Sequence, residues 1–328
     1  MKLLVLNAEQ IARLLPMAEC IELMEDALAA LARGEVYQPL RTIVRPPDAR
    51  GLLGFMPAYR RGERGAFGLK AICVFPGNPS LGKDAHQGTV MLFSQETGEP
   101  LALMNASQIT AIRTAAVSAV ATRLLARADA EELGIIGAGV QARTHLVALA
   151  LVRPIKRARV ACRNPDHAVQ LVREMQDKIP FPIEPVDFNE AAVRDADIVV
   201  TATSAHEPVL KRDWIAAGTH INAIGTHSPQ SREIDTVTMA AARIFTDRRE
   251  SALNEAGDYL LAAQEGAVTP DSIIAEIGEL VTGTKHGRTS PAEITLFKSL
   301  GLAIEDVVCA DHLFRKATAE NAGTWVDF

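Results

Sequence analysis

The stretch Glu132-Leu133-Gly134-Ile135-Ile136-Gly137-Ala138-Gly139-Val140-Gln141-Ala142 decides how this chain is read. A short apolar strand runs into G-x-G-x-x-A and then into a helical pattern. Gly137 permits the tight turn at the strand's end, and Gly139 removes the side chain that would block a pyrophosphate. Ala142 lets the helix pack close to the strand, while the first helical turn, with Val140 and Gln141, offers free N–H groups and the positive end of the helix dipole to phosphates. A bare G-x-G-x-x-A is weak, and a close-packed structural turn is the alternative. Here the strand before it, the helix after it and a further strand at 158–162 supply the context a dinucleotide fingerprint requires.

Working outward, residues 132 to about 247 alternate strand and helix, the mark of a parallel sheet covered on both faces. The expected strands are 133–136, 158–162, 198–202, 220–224 and 243–246, with helices starting near Val140, Asp166, Asn189 and Lys211. From Arg248 the chain reads as helical and loop-rich, ending in one amphipathic segment at 294–315. Ahead of the motif, 8–33 reads as a single helix ended by Gly34. Short β-like runs follow at 40–44, 51–58, 66–75, 88–93 and 100–104, and then a long helix at 107–126 rich in Ala, Ser, Thr and Val. The predicted fold class is α/β: a Rossmann-type doubly wound parallel sheet over 126–298, plus a second α/β domain over 1–125 completed by 299–328.

Composition narrows the function. The 328 residues carry 34 Lys+Arg against 40 Asp+Glu, a formal charge of −6, and 48% are hydrophobic. That is far too apolar for a disordered chain, and an acidic balance gives no excess to neutralise phosphates, so nucleic acid is not the expected partner. No stretch approaches the roughly 20 apolar residues of a membrane helix. The N-terminus acquires Glu9 and Arg13 where a signal peptide needs its cleavage site. The expectation is an intracellular, cytoplasmic protein. Cys20, Cys73, Cys162 and Cys309 are scattered and read as buried reduced thiols. The histidines show no paired ligand spacing, so no metal is expected.

Two features sharpen the chemistry. Where an NAD-binding unit carries an acid for the ribose 2′-hydroxyl, this chain reads Cys162-Arg163-Asn164. Arg163 suits a 2′-phosphate through its planar fork, which predicts NADP(H) in preference to NAD(H); a solvated Arg at a strand end is the plainer alternative. In the first domain, strand alternation puts Lys70 on one face with Ile72 and Val74, and Leu69, Ala71 and Cys73 on the other. Both faces are apolar, so the ammonium is buried or lines a cavity, at a cost unless it is paired or has a task. Arg113 poses the same puzzle on an Ala-rich helix, and Arg41 lies in the run 40–44. Each could pair with an internal carboxylate. Few acids lie in this domain's strands, which favours a shared anion site.

The chain resembles the ornithine cyclodeaminase/μ-crystallin family over almost its whole length. The resemblance is carried by Ile109-Thr-Ala-Ile-Arg-Thr-Ala-Ala-Val-Ser118, Ile135-Ile-Gly-Ala-Gly-Val-Gln-Ala142, Ile221-Asn-Ala-Ile-Gly225, Glu255-Ala-Gly-Asp258 and Thr295-Leu-Phe-Lys-Ser-Leu-Gly-Leu-Ala-Ile-Glu-Asp306. It implies a Rossmann cofactor domain and an α/β domain that dimerises and binds substrate, with Arg41, Lys70 and Arg113 on the substrate α-carboxylate. Ornithine cyclodeaminases carry an acid in a Gly-Gly-Asp motif where this chain reads Gly225-Thr226-His227. They also carry a Glu two residues before a Met-Pro pair, where this chain has Gly54. Both carboxylates are absent, and the pattern is closer to the ketimine-reductase members.

The expected activity is therefore NAD(P)H-dependent reduction of a cyclic or N-alkyl imino acid, such as Δ1-pyrroline-2-carboxylate, to the L-amino acid. The proton required at the imine nitrogen would come from Lys70, if burial and neighbouring arginines depress its pKa, or from His227 at the carboxyl end of a strand. For His227 a mere packing role near the cofactor is an equal alternative. Further cofactor contacts are expected from Thr203, Ser204, Asn222, Ala223 and Ser299 by their positions at strand ends. His86 and Gln87 would close over the substrate or form a plain loop. The alternatives are an ornithine cyclodeaminase, an alanine dehydrogenase-like oxidoreductase and, more remotely, a non-catalytic ligand-binding protein; the expected assembly is a homodimer.

Overall fold

The computed structural model describes residues 2–328. The chain opens with β1 (Lys2–Leu6), α1 (Ala8–Leu14), α2 (Met17–Ala32), β2 (Val36–Tyr37), β3 (Thr42–Val44), β4 (Leu52–Arg60), β5 (Ala66–Val74), β6 (His86–Phe93) and β7 (Pro100–Asn105). The long helix α3 (Ala106–Leu125) leads into β8 (Glu132–Ile136), α4 (Val140–Ala150), β9 (Arg157–Ala161), α5 (Pro165–Met175), β10 (Ile183–Pro185), α6 (Asn189–Val193), β11 (Ile198–Thr201) and β12 (His220–Ala223). Then come α7 (Thr236–Ala241), β13 (Arg243–Thr246), α8 (Arg249–Glu255), α9 (Gly257–Gln264), β14 (Ile273–Glu276), α10 (Ile277–Val281), β15 (Thr295–Lys298), α11 (Ala303–Ala319) and β16 (Thr324–Asp327).

The chain forms two compact units, one of residues up to Arg113 with Gly301–Phe328, the other Thr114–Leu300. The division falls inside α3 and after Leu300, whereas the sequence reading placed it at 125 and 299. In the first unit the sheet runs β16-β1-β7-β6-β5-β4-β2, with β3 also paired to β4. Its neighbours are antiparallel except β1 and β7. In the second unit eight strands run in the order β10-β9-β8-β11-β12-β15-β13-β14, and every pairing is parallel. This is a Rossmann-type sheet, with the change of direction between β8 and β11. One of its faces packs Ile135, Ile198 and Val200, and the other packs Ile136, Val199, Ile221 and Leu296, so both are buried. Apolar residues at consecutive strand positions follow from that double burial.

Several expectations are corrected. The helix read over 8–33 is two helices, because Pro16 lacks the N–H that would continue the first and instead stands at the N-cap of the second. The first starts from a capping box between Asn7 and Gln10. The segment 294–315 is not one helix: residues 295–298 form β15, which inserts between β12 and β13, and Gly301 at φ +75° turns the chain toward α11. The helix expected near Lys211 is a single 3₁₀ turn, Arg212–Trp214. Of the cysteines, Cys20 and Cys309 are buried with sulfurs 3.9 Å apart, but Cys73 and Cys162 are partly exposed. No helix among the described residues is long and apolar enough to cross a membrane.

Two fully buried histidines of the second unit give the fold a pH dependence. Burial lowers the His145 pKa from 6.5 to about 4, and burial with the nearby Arg288 charge lowers that of His220 to about 3. Below pH ~6.5 the unfolded chain takes up these protons while the folded chain does not, so stability present above that pH is lost as it falls. At about 1.4 kcal/mol per pKa unit, each histidine contributes on the order of 3–5 kcal/mol. Thermal unfolding midpoints measured from pH 7 to 4 should drop steeply, and His145→Gln should flatten the slope.

Candidate functional site

The first unit gathers the three cations around the start of α11. Lys70 sits on β5, opposite Met56 of β4 and Val90 of β6, and is buried. Two residues earlier, a Cβ on Gly68 would lie 2.4 Å from Val307, so β5 rests against α11 through a glycine. That contact brings Asp306 to the ammonium, with Nζ 2.7 Å from Oδ2. The other carboxylate oxygen of Asp306 lies 3.2 Å from Arg113 Nε, and Arg113 Nη1 lies 2.9 Å from Glu305 Oε2. Gly301 holds its φ of +75° with a Cβ position only 2.5 Å from the Arg113 guanidinium, so no larger residue fits there. Arg41, half-buried just before β3, donates from Nη2 to the Gly301 carbonyl at 3.1 Å. The α11 N-terminus is held by Gln38, which accepts from the Ile304 N–H at 3.0 Å.

The sequence argument for an anion site needs correction at this point. Lys70 and Arg113 do have internal carboxylate partners, supplied by the C-terminal return of the chain rather than by the neighbouring strands. The cations nevertheless converge: Lys70 and Arg113 share the Asp306 carboxylate, and Arg41 reaches the Gly301 carbonyl two residues before α11. Burial lowers the Lys70 pKa to about 8, with Asp306 raising it and Arg113 and Arg41 pulling it down. Burial also opposes the Arg113 charge, but Asp306 and Glu305 more than offset it and its pKa is raised. Asp306, although buried, is kept below the usual carboxylate range by Arg113 and Lys70. The result is a guanidinium that stays charged beside an ammonium that can release its proton near neutral pH. His86 and Gln87, at the start of β6, are exposed.

In the second unit the glycine loop fits a dinucleotide. Gly137 takes φ +117°, and a Cβ there would lie 2.4 Å from the Ala202 carbonyl. At Gly139, the N-cap of α4, a Cβ would meet nothing within 4 Å, and no side chain caps the helix. Open space in front of an uncapped helix N-terminus is what phosphates require, with Val140 and Gln141 in its first turn. Ala142 is buried between α4 and the sheet. Arg143, not singled out from the sequence, donates to the Ala138 and Gly139 carbonyls at 2.7 and 3.0 Å and braces the loop. Arg163 is exposed between β9 and α5, and Asn164 caps α5 by accepting from the Asp166 N–H.

The remaining positions divide by burial. Thr203 leaves β11 with its N–H and hydroxyl both donated to Glu233, whereas Ser204 is exposed. Asn222 is fully buried and donates its amide to the Thr122 hydroxyl at 3.0 Å, a tie to α3. Ala223 is buried and accepts from the Ser299 N–H at 3.1 Å, and Ser299 is buried too. His227 is exposed in the loop after β12. The sequence reading did not single out the acids Glu233, Glu305 and Asp306 or Lys298 as site groups, because each meets its partners across tens to hundreds of residues.

The sequence profile of the Ornithine cyclodeaminase/mu-crystallin family matches residues 1–321. A Delta(1)-pyrroline-2-carboxylate reductase of Bacillus cereus is 36% identical over 327 residues, covering 99% of this chain and 100% of that one. The solved Delta(1)-pyrroline-2-carboxylate reductase of Thermococcus litoralis, in complex with NADH and L-proline, superposes with a TM-score of 0.96 at 41% identity, over 98% of this chain and 99% of the other. An archaeal alanine dehydrogenase dimer with bound NAD superposes at 0.92 and 35% identity, over the whole of both chains.

Breaking the buried pair should be costly, because removal of one partner leaves an uncompensated charge. Asp306→Ala should lower stability by about 3–5 kcal/mol, read from denaturant unfolding. An unchanged midpoint would show that Lys70 and Arg113 do not depend on it.

Proposed function

Because the chain belongs to the ornithine cyclodeaminase/mu-crystallin family, we propose that it reduces cyclic imino acids of the Δ1-pyrroline-2-carboxylate type to L-amino acids, using a reduced nicotinamide nucleotide. The observation that carries this reading is the buried Lys70–Asp306–Arg113 cluster, in which an ammonium and a guanidinium are held side by side on one carboxylate, with Arg41 close by on the Gly301 carbonyl. Arg41 and Arg113 anchor the substrate carboxylate, and the Lys70 ammonium completes that anchor and orients the C=N bond. The nicotinamide, when bound, supplies a hydride to the imine carbon. Lys70 gives the imine nitrogen its proton from Nζ, leaving a neutral amine that solvent reprotonates; the pKa of about 8 suits that task. His227, exposed after β12, is the second candidate for the acid. The similarity to reductases bound to NADH and proline supports this assignment, and so does the absence of the two acids that the cyclodeaminases of the family carry.

Three finer readings accompany it. Arg163, exposed at the end of β9 with no carboxylate beside it in sequence, favours NADPH over NADH. The glycine loop with Val140, Gln141 and Ala142, and the strand ends at Asn164, Thr203, Ser204, Asn222, Ala223 and Ser299, form the cofactor's surroundings. Ile43, Val44 and Phe67, each near half exposed on strands of the first unit's sheet, favour association of two copies, and the similar alanine dehydrogenase is a dimer.

The decisive assay is oxidation of NADPH and NADH with Δ1-pyrroline-2-carboxylate, with L-proline measured as product. Turnover only with pyruvate and ammonia would favour an alanine dehydrogenase, and ornithine consumption without net cofactor change a cyclodeaminase. Lys70→Met should reduce kcat at least about 10²-fold, and a near-normal rate would remove Lys70 as the acid. Since Lys70 must be protonated to act, kcat/KM should be level below its pKa of about 8 and fall about tenfold per pH unit above it. Arg163→Ala should lower kcat/KM for NADPH and leave that for NADH nearly unchanged.

A further inference from the structure

Glu233 is fully buried at the carboxyl ends of β11 and β12 and takes four hydrogen bonds, one from the last residue of β11 and three from the segments that leave the two strands. Its Oε1 accepts from the Thr203 N–H and the Thr203 hydroxyl, both at 2.7 Å. Its Oε2 accepts from the Gly225 N–H at 2.7 Å and the Thr201 hydroxyl at 2.9 Å. Each carboxyl oxygen takes one backbone N–H, which can only donate, so an amide in its place would turn its NH2 toward one of them. The approach is tight: a Cβ on Gly225 would lie 2.1 Å from the Thr203 carbonyl and 2.5 Å from Glu233 Oε1. Only a glycine there lets the β11 and β12 exits meet on one side chain.

A second carboxylate holds the first. Asp258 accepts from the Glu233 N–H at 2.7 Å and the Ile234 N–H at 2.9 Å, and pairs with Lys298 Nζ at 2.8 Å. It also accepts from the Thr226 hydroxyl at 2.9 Å, while Lys298 donates to the Thr226 carbonyl at 2.9 Å. Thr226 is thereby gripped at hydroxyl and backbone, and His227 follows it directly. Burying two carboxylates and an ammonium costs more than packing apolar groups of the same volume. What that expense secures is the exact path of two loops.

We infer that Glu233 is a positioning residue for the nicotinamide half of the cofactor site, locking the Thr203 and Gly225–His227 loops into one geometry. In a doubly wound sheet the glycine loop after β8 takes the pyrophosphate, and the strand ends beyond the change of direction, here β11 and β12, border the second mononucleotide. The inference rests on the proposed use of a nicotinamide nucleotide. Glu233 touches neither substrate nor cofactor in it; it acts through the loops it joins.

The test is calorimetric titration of the full-length protein and Glu233→Gln with NADPH and with 2′-phospho-ADP-ribose, which lacks the nicotinamide. For Glu233→Gln the NADPH Kd should rise about tenfold or more, as expected for disturbing hydrogen bonds to a charged group, while the 2′-phospho-ADP-ribose Kd should stay within about twofold. At saturating NADPH the KM for the imino acid should be unchanged, and Glu233→Asp should recover part of the loss. If Glu233→Gln does not fold, Thr201→Val removes one donor inside β11 and should show the same selectivity at about threefold. Equal weakening of both ligands, or no weakening of either, would overturn the assignment of Glu233. Failure of the unaltered protein to bind NADPH or NADH would instead overturn the proposed function itself.

Discussion

The first unit is organised around one shared carboxylate. Taking a lysine ammonium and a guanidinium out of water costs several kcal/mol each, and a fold tolerates them only if partners are delivered with good geometry. Asp306 supplies one oxygen to each cation, and Glu305 adds a second contact to Arg113. This requires β5, the first turns of α3 and the first turn of α11 to converge, although they lie far apart in the chain. Gly68 and Gly301 are the small residues that let them come close enough. The first turn of α11 also suits acids, because the positive end of its dipole faces them. The same carboxylate raises the Lys70 pKa, against the burial and the arginines that lower it.

The second unit also buries charge. Around Lys298 two carboxylates, Asp258 and Glu233, outnumber the single ammonium, and all three are sealed from solvent. In the first unit the buried carboxylates hold side-chain cations. In the second they also hold backbone N–H groups and threonine hydroxyls at the strand ends. Burial and the neighbouring Asp258 raise the Glu233 pKa, while the Thr203 and Gly225 N–H groups each point at one of its oxygens.

Much of the fold was legible because period and punctuation agree there. The parallel strands of the Rossmann sheet are buried on both faces and read as short apolar runs, and the glycine loop between β8 and α4 is specified by sterics that leave little choice at Gly137. Lys70 was legible from alternation alone, since Ile72 and Val74 shared its face. What escaped was non-local. β15 is four residues long and lies next to a strong helix, so its apolar residues merged with the helical pattern; only pairing with β12 and β13 separates them. Pro16 was a readable break that the apolar spacing on either side concealed. Asp306 and Glu305 were visible as residues but not as partners, because nothing local indicates that a helix some 190 positions later returns to Arg113.

The loop after β12 shows how one position changes what a shared scaffold can accept. Where the cyclodeaminases resembled by this chain carry Gly-Gly-Asp, it reads Gly225-Thr226-His227. Gly225 is retained because its Cβ position is occupied by the Thr203 backbone and Glu233. Thr226 is not a passive exchange for glycine, since its hydroxyl lies between Asp258 and Lys298 and fixes the loop from below. The next residue then presents an exposed imidazole where the family motif presents a carboxylate. A substrate with a distal ammonium needs that negative charge to offset the desolvation of its amine. A cyclic imino acid has no second amine, and its ring is served by a neutral or proton-donating neighbour. Positions 54 and 227 thus carry no carboxylate in this chain, which suits the proposed cyclic imino acid better than a diamino acid.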